Sequence, residues 1–414
     1  MNILLCNYRY FVSGGTERYL FNLTRILESK GHTVVPFSMQ YKKNEPTPFS
    51  RYFALSPSGP DHVQFDDSEL RLSKKLRLFS ALLYNQEAKR KIKTIIRQEK
   101  IDIVHTIQIV NYLYPSVIDG CREMGVPVAF MAQDFQLLCP SYNFFCRGRI
   151  CEKCKDGYFN AVRNRCLKNS YSLSLAKVFA MYLHRYLKVN EKISAFLAVS
   201  EFLKNKMIEY GFDRSRVYHI PLPIDVDALK PCSENKGYIL YMRGINEMRG
   251  IEVLVGAFKA LDRPVRLKIA GEAHDNESRR LKKRMLDENI NNVEFVGFKP
   301  VQEIEELYRG AIFCVVPSLG YETGAHFTLE AMASGKPVLG TRVGANPEFI
   351  DEGVDGLLCK PGDIGDLCDK MRYFIDNPRV TIQMGKDARK KIEERYTSEI
   401  HYQSLLEIYN SVLS

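Results

Sequence analysis

Short apolar runs alternate with longer segments of helical periodicity along the first half of the chain. The runs are continuously apolar, which is typical of strands buried on both faces of a parallel sheet. Helical patterns lie between them, for example over residues 16–30 and 202–210. The predicted strands cover residues 3–6, 33–37, 101–105, 128–132, 196–200 and 217–221.

The second half of the chain repeats this scheme. Its predicted strands cover residues 237–242, 265–270, 293–296, 312–317 and 337–341, and its predicted helices cover 250–261, 277–289, 301–309 and 326–334. Such alternation predicts an α/β fold with two doubly wound, Rossmann-like domains that face each other across a cleft. Ligands of such sheets bind beyond the carboxyl ends of the strands.

A proline-rich stretch separates the two halves. Residues 221–236 contain three prolines and little periodicity, and 414 residues are too many for one compact core. We therefore predict an N-terminal domain over 1–221, a linker over 222–236 and a C-terminal domain over 237–396. A final helix over 397–414 is predicted to pack back on the N-terminal domain.

The composition is that of a soluble globular protein, with 45% hydrophobic and 26% charged residues. These values exclude disordered and collagen-like classes. No apolar stretch reaches the roughly 18 residues of a membrane helix, and the N-terminal segment MNILLCNYRY lacks the pattern of a signal peptide. A cytoplasmic protein is expected, in which cysteines are reduced thiols or metal ligands.

Two loops have the residue types of a phosphate or nucleotide site. Gly14 and Gly15 follow the first strand and open a helix, although a tight turn would use the same pair. The stronger signal is PSLGYETGAHFTLEAMASGKPV over 317–338, where Glu322 precedes a helix and Glu330 lies within it. Loop amides and the helix N-terminus could bind a diphosphate, and the carboxylates could bind hydroxyl groups. The competing interpretation makes both glutamates solvated or capping residues.

At this point the chain resembles the retaining glycosyltransferases of family 4, the group 1 glycosyltransferases, which have the GT-B fold. The resemblance implies transfer of a sugar from a nucleotide-sugar to an acceptor with retention at the anomeric carbon. It places the donor mainly on the second domain and the acceptor mainly on the first. Besides the block at 317–338, it depends on GGTERYL, AVSEFLKNKMIEYGF, VYHIPLPID, ILYMRGINEMRGIEVLVGAF, VEFVGF and GTRVGANPEFIDEGVDGLL.

The resemblance also implies residue roles. Glu322 would contact the donor sugar near the reacting carbon, and Glu330 would bind the ribose. Arg249 occupies a position usually held by a lysine that neutralises the leaving diphosphate. Gly14 and Gly15 match a first-domain loop that closes on the phosphates. The loop amides that would bind the diphosphate belong to Gly324, Ala325, His326, Phe327 and Thr328.

Three positions depart from the family pattern. Arg243 is a candidate donor-binding residue, because the family's arginine after this strand contacts the diphosphate. Arg243-Gly244 reverses the usual Gly-Arg order, however, which predicts that the side chain points to the other face of the strand. Gln133-Asp134 replaces a His-Asp pair, and Asp134 becomes a catalytic candidate that would hold the acceptor hydroxyl. Gly324-Ala325 replaces Phe-Gly. These departures keep two alternatives open: a metal-containing GT-B scaffold with a degenerate donor site, or a nucleotide-sugar epimerase of the same architecture.

An insert over about 135–192 concentrates cysteines and positive charge. Its spacing predicts a structural metal site, with zinc favoured over an iron–sulfur cluster and unligated thiols as the alternative. Asp225 and Asp227 have the Asp-x-Asp spacing of a metal motif found in the other glycosyltransferase fold. They lie in the linker, so no catalytic metal is predicted. The four expected ligands are Cys139, Cys151, Cys154 and Cys166.

The same insert contributes most of the net charge of +10, since residues 147–192 contain eleven Lys or Arg and three Asp or Glu. A helical stripe over 170–190 and a second over 73–100 are basic and amphipathic, a pattern of helices that lie on anionic membranes. The alternative is that both stripes pack on the sheet of the first domain. No nucleic-acid-reading motif accompanies the charge.

Together these patterns predict a retaining, nucleotide-sugar-dependent glycosyltransferase. Its acceptor would be a glycan or lipid-linked molecule in cell-surface polysaccharide biosynthesis. The enzyme would work in the cytoplasm, at the inner face of the cytoplasmic membrane.

Overall fold

The computed structural model describes residues 1–61, 72–271, 276–297, 299, 301–324 and 326–414. The chain divides into two compact units. Unit 1 contains Met1–Asn143, Glu152–Pro221 and Tyr402–Ser414. Unit 2 contains Phe144–Cys151 and Leu222–His401.

Unit 1 is built on a parallel sheet of six strands with the order β10-β9-β6-β5-β1-β2. Strand β2 lies on one side of β1, and β5 with the later strands lies on the other. The order in which strands are added to the sheet therefore reverses between β1 and β5. Residues of the central strands are buried on both faces, as the continuous apolar runs predicted. The strands of this sheet are β1 (Asn2–Cys6), β2 (Thr33–Phe37), β5 (Ile103–Thr106), β6 (Val128–Ala132), β9 (Ala195–Ala198) and β10 (Val217–His219). Outside it, β3 (Met39–Gln40) pairs with β4 (Ala54–Leu55). Strands β7 (Phe145–Cys146) and β8 (Arg149–Ile150) form an antiparallel hairpin that belongs to unit 2.

The α-helices that the described residues form around these strands are α1 (Gly15–Ser29), α2 (Leu72–Leu83), α3 (Gln86–Gln98), α4 (Ser116–Glu123), α5 (Phe159–Arg163), α6 (Tyr171–Tyr186) and α7 (Glu201–Glu209). The amphipathic segment over 73–100 is thus two helices. Asn85 separates them, because its side chain accepts a hydrogen bond from the Ala88 amide at 3.0 Å and so caps α3. Ile92 and Ile95 of α3 are fully buried, so this part of the stripe does pack inside unit 1.

The apolar stripe of α6 faces outward. Leu175, Phe179, Tyr182 and Tyr186 are 54%, 54%, 42% and 84% exposed, whereas Val178 is buried. The alternative that this stripe packs on the sheet is therefore wrong for four of its members. Helix α6 buries a different side, since it also packs against α5 and α2.

Unit 2 has a second six-stranded parallel sheet, with the order β13-β12-β11-β14-β15-β16. The order in which its strands are added reverses between β11 and β14, which is the arrangement of a dinucleotide-binding sheet. A cluster of buried apolar side chains, including Ile239, Leu254, Phe313 and Phe374, packs between this sheet and its helices. The strands are β11 (Tyr238–Met242), β12 (Arg266–Ala270), β13 (Val293–Phe295), β14 (Ala311–Val316), β15 (Val338–Thr341) and β16 (Gly356–Cys359).

The helices that follow in the chain are α8 (Ile251–Lys259), α9 (Asn276–Asp287), α10 (Val301–Gly310), α11 (His326–Ala333), α12 (Asn346–Phe349), α13 (Ile364–Asp376), α14 (Pro378–Arg395) and α15 (Ser398–Leu413). The end of α15 belongs to unit 1, where the Tyr409 hydroxyl lies 2.6 Å from Nδ1 of His105. Across the described parts of the chain, every helix is too short or too polar to cross a bilayer.

Candidate active site

The carboxyl ends of β11 and β14 are adjacent in unit 2, because the two strands pair in parallel at the point where the strand order reverses. Open α/β sheets bind their ligands at this place. Arg243 follows β11 directly, and Ser318 and Glu322 follow β14. The topology therefore brings a carboxylate and basic side chains together from segments about 80 residues apart.

Glu322 is the centre of a buried ionic cluster. Its side chain is 3% exposed. Nη2 of Arg243 donates to its Oε2 at 2.7 Å, and Nη1 of Arg249 donates to Oε1 at 2.6 Å and to Oε2 at 2.7 Å. The Ser318 hydroxyl also donates to Oε1. Burial alone would raise the pKa of Glu322, but the two guanidinium groups and these hydrogen bonds outweigh it and lower the pKa to about 2.

Arg243 does not point away from this cluster, so the orientation predicted from the reversed Arg-Gly order is wrong. Strand β11 ends at Met242, and the alternation of side chains between the two faces does not extend beyond a strand. The carbonyl group of Arg243 packs against Gly271, where any Cβ would collide with it. This contact fixes the backbone that directs the guanidinium towards Glu322.

Two glycines in the left-handed region hold the backbone around Glu322. Gly250 has φ +70°, and a Cβ there would overlap the carbonyl oxygen of Pro317. Gly344 has φ +61°, and its Cβ would overlap the backbone of Glu322 itself. The Ala345 amide donates to the Glu322 carbonyl at 2.9 Å. The site thus requires glycine at both positions, for conformation and for space.

Glu330 is buried in α11, the helix that follows the loop containing Glu322. The Tyr308 hydroxyl from α10 donates to its Oε2 at 2.7 Å. Tyr308 was not predicted, since a single tyrosine in an amphipathic helix has no distinguishing sequence signal. Thr328, also in α11, is 1% exposed, and its hydroxyl finds no hydrogen-bond partner among the described residues.

The rest of the predicted diphosphate loop leads into the N-terminus of α11. Gly324 and His326 are half-buried, and Phe327 is buried with its ring centroid 5.8 Å from that of Tyr308. Ala325 lies outside the described residues. The loop and the first turn of α11 therefore adjoin Glu330 along the chain, and the macrodipole of α11 favours an anion at its N-terminus.

In unit 1, Gly14 and Gly15 form the N-terminus of α1. Gly14 is the N-cap residue, with extended backbone at φ −176°. Glu17, which was not among the predicted site residues, is buried in the first turn and accepts a hydrogen bond from the Ser13 hydroxyl at 2.9 Å. Arg9 in turn donates to the Ser13 hydroxyl at 2.8 Å. Two hydrogen bonds therefore connect the side chains of Arg9, Ser13 and Glu17 and support this glycine loop.

Asp134 follows β6, at the carboxyl end of the unit 1 sheet. Its Oδ1 accepts from the Gln136 amide at 2.9 Å, and its Oδ2 accepts from the Gln136 side chain at 2.6 Å. Burial raises the pKa of Asp134 to about 6, against the lowering effect of these bonds and of the nearby Lys177 charge. A carboxylate with this pKa is suited to binding or deprotonating a hydroxyl near neutral pH.

Comparisons with known proteins decide the family. Residues 13–228 match the model of glycosyltransferase family 4, and residues 229–391 match that of the group 1 glycosyl transferases. The chain is a group 1 glycosyltransferase of family 4. It is 22% identical to an uncharacterized glycosyltransferase of Methanocaldococcus jannaschii over 343 residues, which cover 81% of this chain and 83% of that protein.

Solved structures share the two-domain GT-B fold of this glycosyltransferase. HepE of Anabaena in complex with UDP-glucose matches with a TM-score of 0.68 and 16% identity, over 99% of this chain and 100% of that chain. WaaG, a glycosyltransferase involved in lipopolysaccharide biosynthesis, matches with a TM-score of 0.64 and 15% identity, over 97% of this chain and 98% of that chain. At these identities the likeness concerns the fold.

The cysteines of the glycosyltransferase insert fall into different surroundings. Cys154 and Cys166 adjoin a small apolar cluster with Ala161, and Cys139 Sγ lies 3.3 Å from the Ser141 hydroxyl. Cys151 belongs to the segment assigned to unit 2. Within the described residues, no three Cys, His, Asp or Glu side chains are arranged to hold a metal ion. As placed, the four thiols do not form a tetrahedral site, and metal binding stays a prediction.

Proposed function

We propose that this glycosyltransferase transfers a sugar from a nucleotide-sugar to a glycan or lipid-linked acceptor, with retention at the anomeric carbon. The observation that carries the proposal is the cluster of Arg243, Arg249 and Glu322 at the carboxyl ends of β11 and β14. The UDP-glucose complex of Anabaena HepE, which has the same fold, supports a nucleotide-sugar as donor.

The basic side chains of the cluster suit a diphosphate leaving group. Two guanidinium groups contact a single carboxylate, which leaves one positive charge without a balancing anion in the cluster. The N-terminus of α11 and the unpartnered Thr328 hydroxyl add donors for phosphate oxygens. Preorganised positive groups of this kind stabilise negative charge that develops on a leaving group.

The state of Glu322 favours an orienting role over a nucleophilic one. Its carboxylate receives hydrogen bonds from two arginines and a serine, which reduces its electron-donating power. During transfer, the bond from the anomeric carbon to the diphosphate oxygen breaks, and its electron pair stays on the diphosphate. The acceptor oxygen then bonds to the anomeric carbon from the same face, and its proton passes to the leaving phosphate. Glu322 fixes the arginines and stabilises positive charge on the sugar.

The acceptor side of the proposal concerns unit 1. Asp134, with a pKa of about 6, would accept a hydrogen bond from the acceptor hydroxyl and so orient its oxygen. The involvement of WaaG in lipopolysaccharide biosynthesis supports an acceptor that belongs to the cell surface. The outward apolar stripe of α6, in a region rich in Lys and Arg, supports peripheral contact with the inner face of the cytoplasmic membrane.

The test is nucleotide release from a panel of nucleotide-sugars, with and without acceptor extracts, by wild type and Glu322→Gln. Glu306→Gln is the matched control, because Glu306 is an exposed glutamate of unit 2. We expect release by wild type and Glu306→Gln, and a loss of at least a hundredfold, about 2.7 kcal/mol of barrier, for Glu322→Gln. A wild type that binds and cleaves none of the donors would favour the degenerate scaffold. A changed sugar on the nucleotide, without transfer, would favour the epimerase.

A further inference from the structure

A cavity of about 300 Å³ lies in unit 1 along one side of helix α6. Its walls come from α6, from the loop after β6 and from the segments that follow α6 and α7. It contains none of the residues of the Glu322 cluster, and neither the family resemblance nor the proposed donor chemistry uses it. Its lining combines strongly basic and apolar side chains.

Positive charge dominates the polar lining. The cationic members are Lys155, Lys177, Arg185, Lys188 and Arg216, and the acidic members are Glu191 and Asp213. Each acidic residue already has a cationic neighbour, because Lys188 Nζ lies 3.6 Å from Glu191 and Arg216 Nε lies 3.5 Å from Asp213. Lys155 pairs with Glu209 at 2.8 Å. Among the described residues, Lys177 and Arg185 are the cationic lining side chains that have no carboxylate within ion-pair distance.

Lys177 is the more informative of the two. It is 6% exposed, and its Nζ donates to the amide oxygen of Asn111 at 3.2 Å. No carboxylate of the described residues lies within ion-pair distance of it. Burial lowers the pKa of Lys177 to about 8, although the charge of Asp134 acts in the opposite direction. A buried ammonium whose hydrogen-bond acceptor is a neutral amide, and whose nearby carboxylate Asp134 lies beyond ion-pair distance, is costly, and an anion in the cavity would reduce that cost.

Part of the remaining lining is apolar. Tyr114, Leu138, Met181 and Val189 are buried and border the same space. A small inorganic anion would leave this surface uncovered, whereas an anion attached to an apolar chain would cover it. The opposite side of α6 presents the exposed Phe179 and Tyr182, so an apolar chain leaving the cavity would find further apolar surface on the same helix.

We propose that this cavity binds the phosphate-bearing end of a lipid-linked acceptor. Lys177 and Arg185 would contact the phosphate, and the first units of the lipid would pack on Leu138 and Met181. The inference rests on the proposed function, for which it names the acceptor class. It assigns to α6 two roles on two sides: recognition of an anionic headgroup and contact with apolar chains.

Binding to the full-length protein tests the inference, with farnesyl diphosphate, inorganic pyrophosphate and farnesol as probes in calorimetric titrations. We expect farnesyl diphosphate to bind and farnesol not to bind, with pyrophosphate weaker by at least tenfold. Pyrophosphate binding as tight as farnesyl diphosphate would overturn the lipid assignment, since a site for free phosphate would then suffice. Absence of binding by farnesyl diphosphate would overturn the proposal entirely.

Variants separate this site from the donor site. Lys177→Met and Arg185→Gln should each weaken farnesyl diphosphate binding by roughly tenfold to a hundredfold, the range for a lost charged hydrogen bond. Lys153→Met is the control, because Lys153 is an exposed lysine of the same insert that does not line the cavity. Arg185 is exposed, so its variant keeps the fold even if Lys177→Met does not. Unchanged affinity in Arg185→Gln and in a folded Lys177→Met would contradict the proposal.

Nucleotide release into water, without acceptor, reports on the donor site alone. It should be unchanged in Arg185→Gln, whereas transfer to a lipid-linked acceptor should fall with the binding affinity. Normal donor cleavage with no headgroup binding would sink this inference and leave the proposed transfer standing. Loss of donor cleavage in wild type would instead count against the proposed function.

Discussion

The Glu322 cluster has more positive than negative charge, and this imbalance explains its behaviour. A buried carboxylate would ordinarily be costly, yet Glu322 stays ionised because Arg243 and Arg249 both contact it. The arginines in turn depend on Glu322 for a partner. When a diphosphate is bound, it would supply the second anion that the cluster lacks.

Glu322→Gln should therefore destabilise the free protein more than an ordinary surface change. It leaves two largely buried guanidinium groups without their carboxylate, which costs about 3 kcal/mol in comparable buried pairs. Nucleoside diphosphate should restore part of this loss, because its phosphates replace the missing charge. Thermal unfolding with and without UDP measures both effects, and Glu306→Gln should unfold as wild type does.

The dependence of this loss on pH provides a control. Because the pKa of Glu322 is lowered in the folded protein to about 2, its ionisation stabilises the fold above the ordinary glutamate pKa of about 4.3. That contribution disappears as pH falls from about 4 towards 2. The stability difference between wild type and Glu322→Gln should thus shrink over this range, and a constant difference would indicate a packing defect instead.

Asp134 shows the opposite relation between charge and stability. Its pKa is raised to about 6, so its ionisation opposes folding as pH rises from about 4 to 6. Asp134→Asn should stabilise the protein at pH 7, by up to about 3 kcal/mol, while slowing transfer to the acceptor. Denaturant unfolding and acceptor-dependent transfer, measured from pH 5 to 8, test the pair of effects. A variant that is more stable and equally active would remove Asp134 from the acceptor site.

At the scale of elements, the sequence pattern predicted most strands of both sheets, and it placed Glu322 on a loop and Glu330 in the helix that follows, because apolar runs and glycine loops are local signals. It did not predict β16, the break at Asn85 or the contact of Tyr308 with Glu330. These depend on tertiary packing, which a single sequence does not display. The predicted orientation of Arg243 was wrong for the same reason, since the backbone of Arg243 is fixed by its contact with Gly271 from another loop.

The loop that contains Gly344 supports the active site through its backbone. Gly344→Ala would force a Cβ into the Glu322 backbone at φ +61° and should cost more than about 2 kcal/mol, with a matching loss of donor cleavage. Gly353 is the matched control, because it has φ +81° with no atom within 4 Å of an added Cβ. Gly353→Ala should cost only about 1 kcal/mol of backbone strain and keep activity. Equal effects of the two changes would contradict a role for Gly344 in holding Glu322.

The insert offers a prediction that concerns metal content. The spacing of Cys151 and Cys154 suits a structural zinc site, whereas the described residues contain no preformed set of ligands. Thiolates of such a site often gather only around the ion itself. Elemental analysis of protein purified without chelator should find about one zinc per chain. Absence of both zinc and iron would leave the cysteines as ordinary thiols.

For the whole molecule, the net charge of +10 has a structural location. Most of it lies over residues 147–192, the region that contains α6 and most of the basic side chains of the cavity beside it. The sequence showed that this region is basic and amphipathic, but both a packed and an exposed helix have that pattern. Only the exposure of Phe179 and Tyr186 distinguishes them.

Membrane association should follow from this exposed stripe together with its basic surroundings. Wild type should co-sediment with vesicles that contain anionic lipid and bind weakly to neutral ones, because charge attracts the protein and the aromatic side chains enter the interface. Raising salt from about 0.1 to 1 M shortens the Debye length from about 10 to 3 Å and should release most of the protein. The double change Phe179→Ser and Tyr186→Ser should reduce binding at low salt, whereas Leu286→Ser, an equally exposed apolar residue of unit 2, should not. Binding that ignores both salt and the α6 changes would mean that another surface meets the lipid.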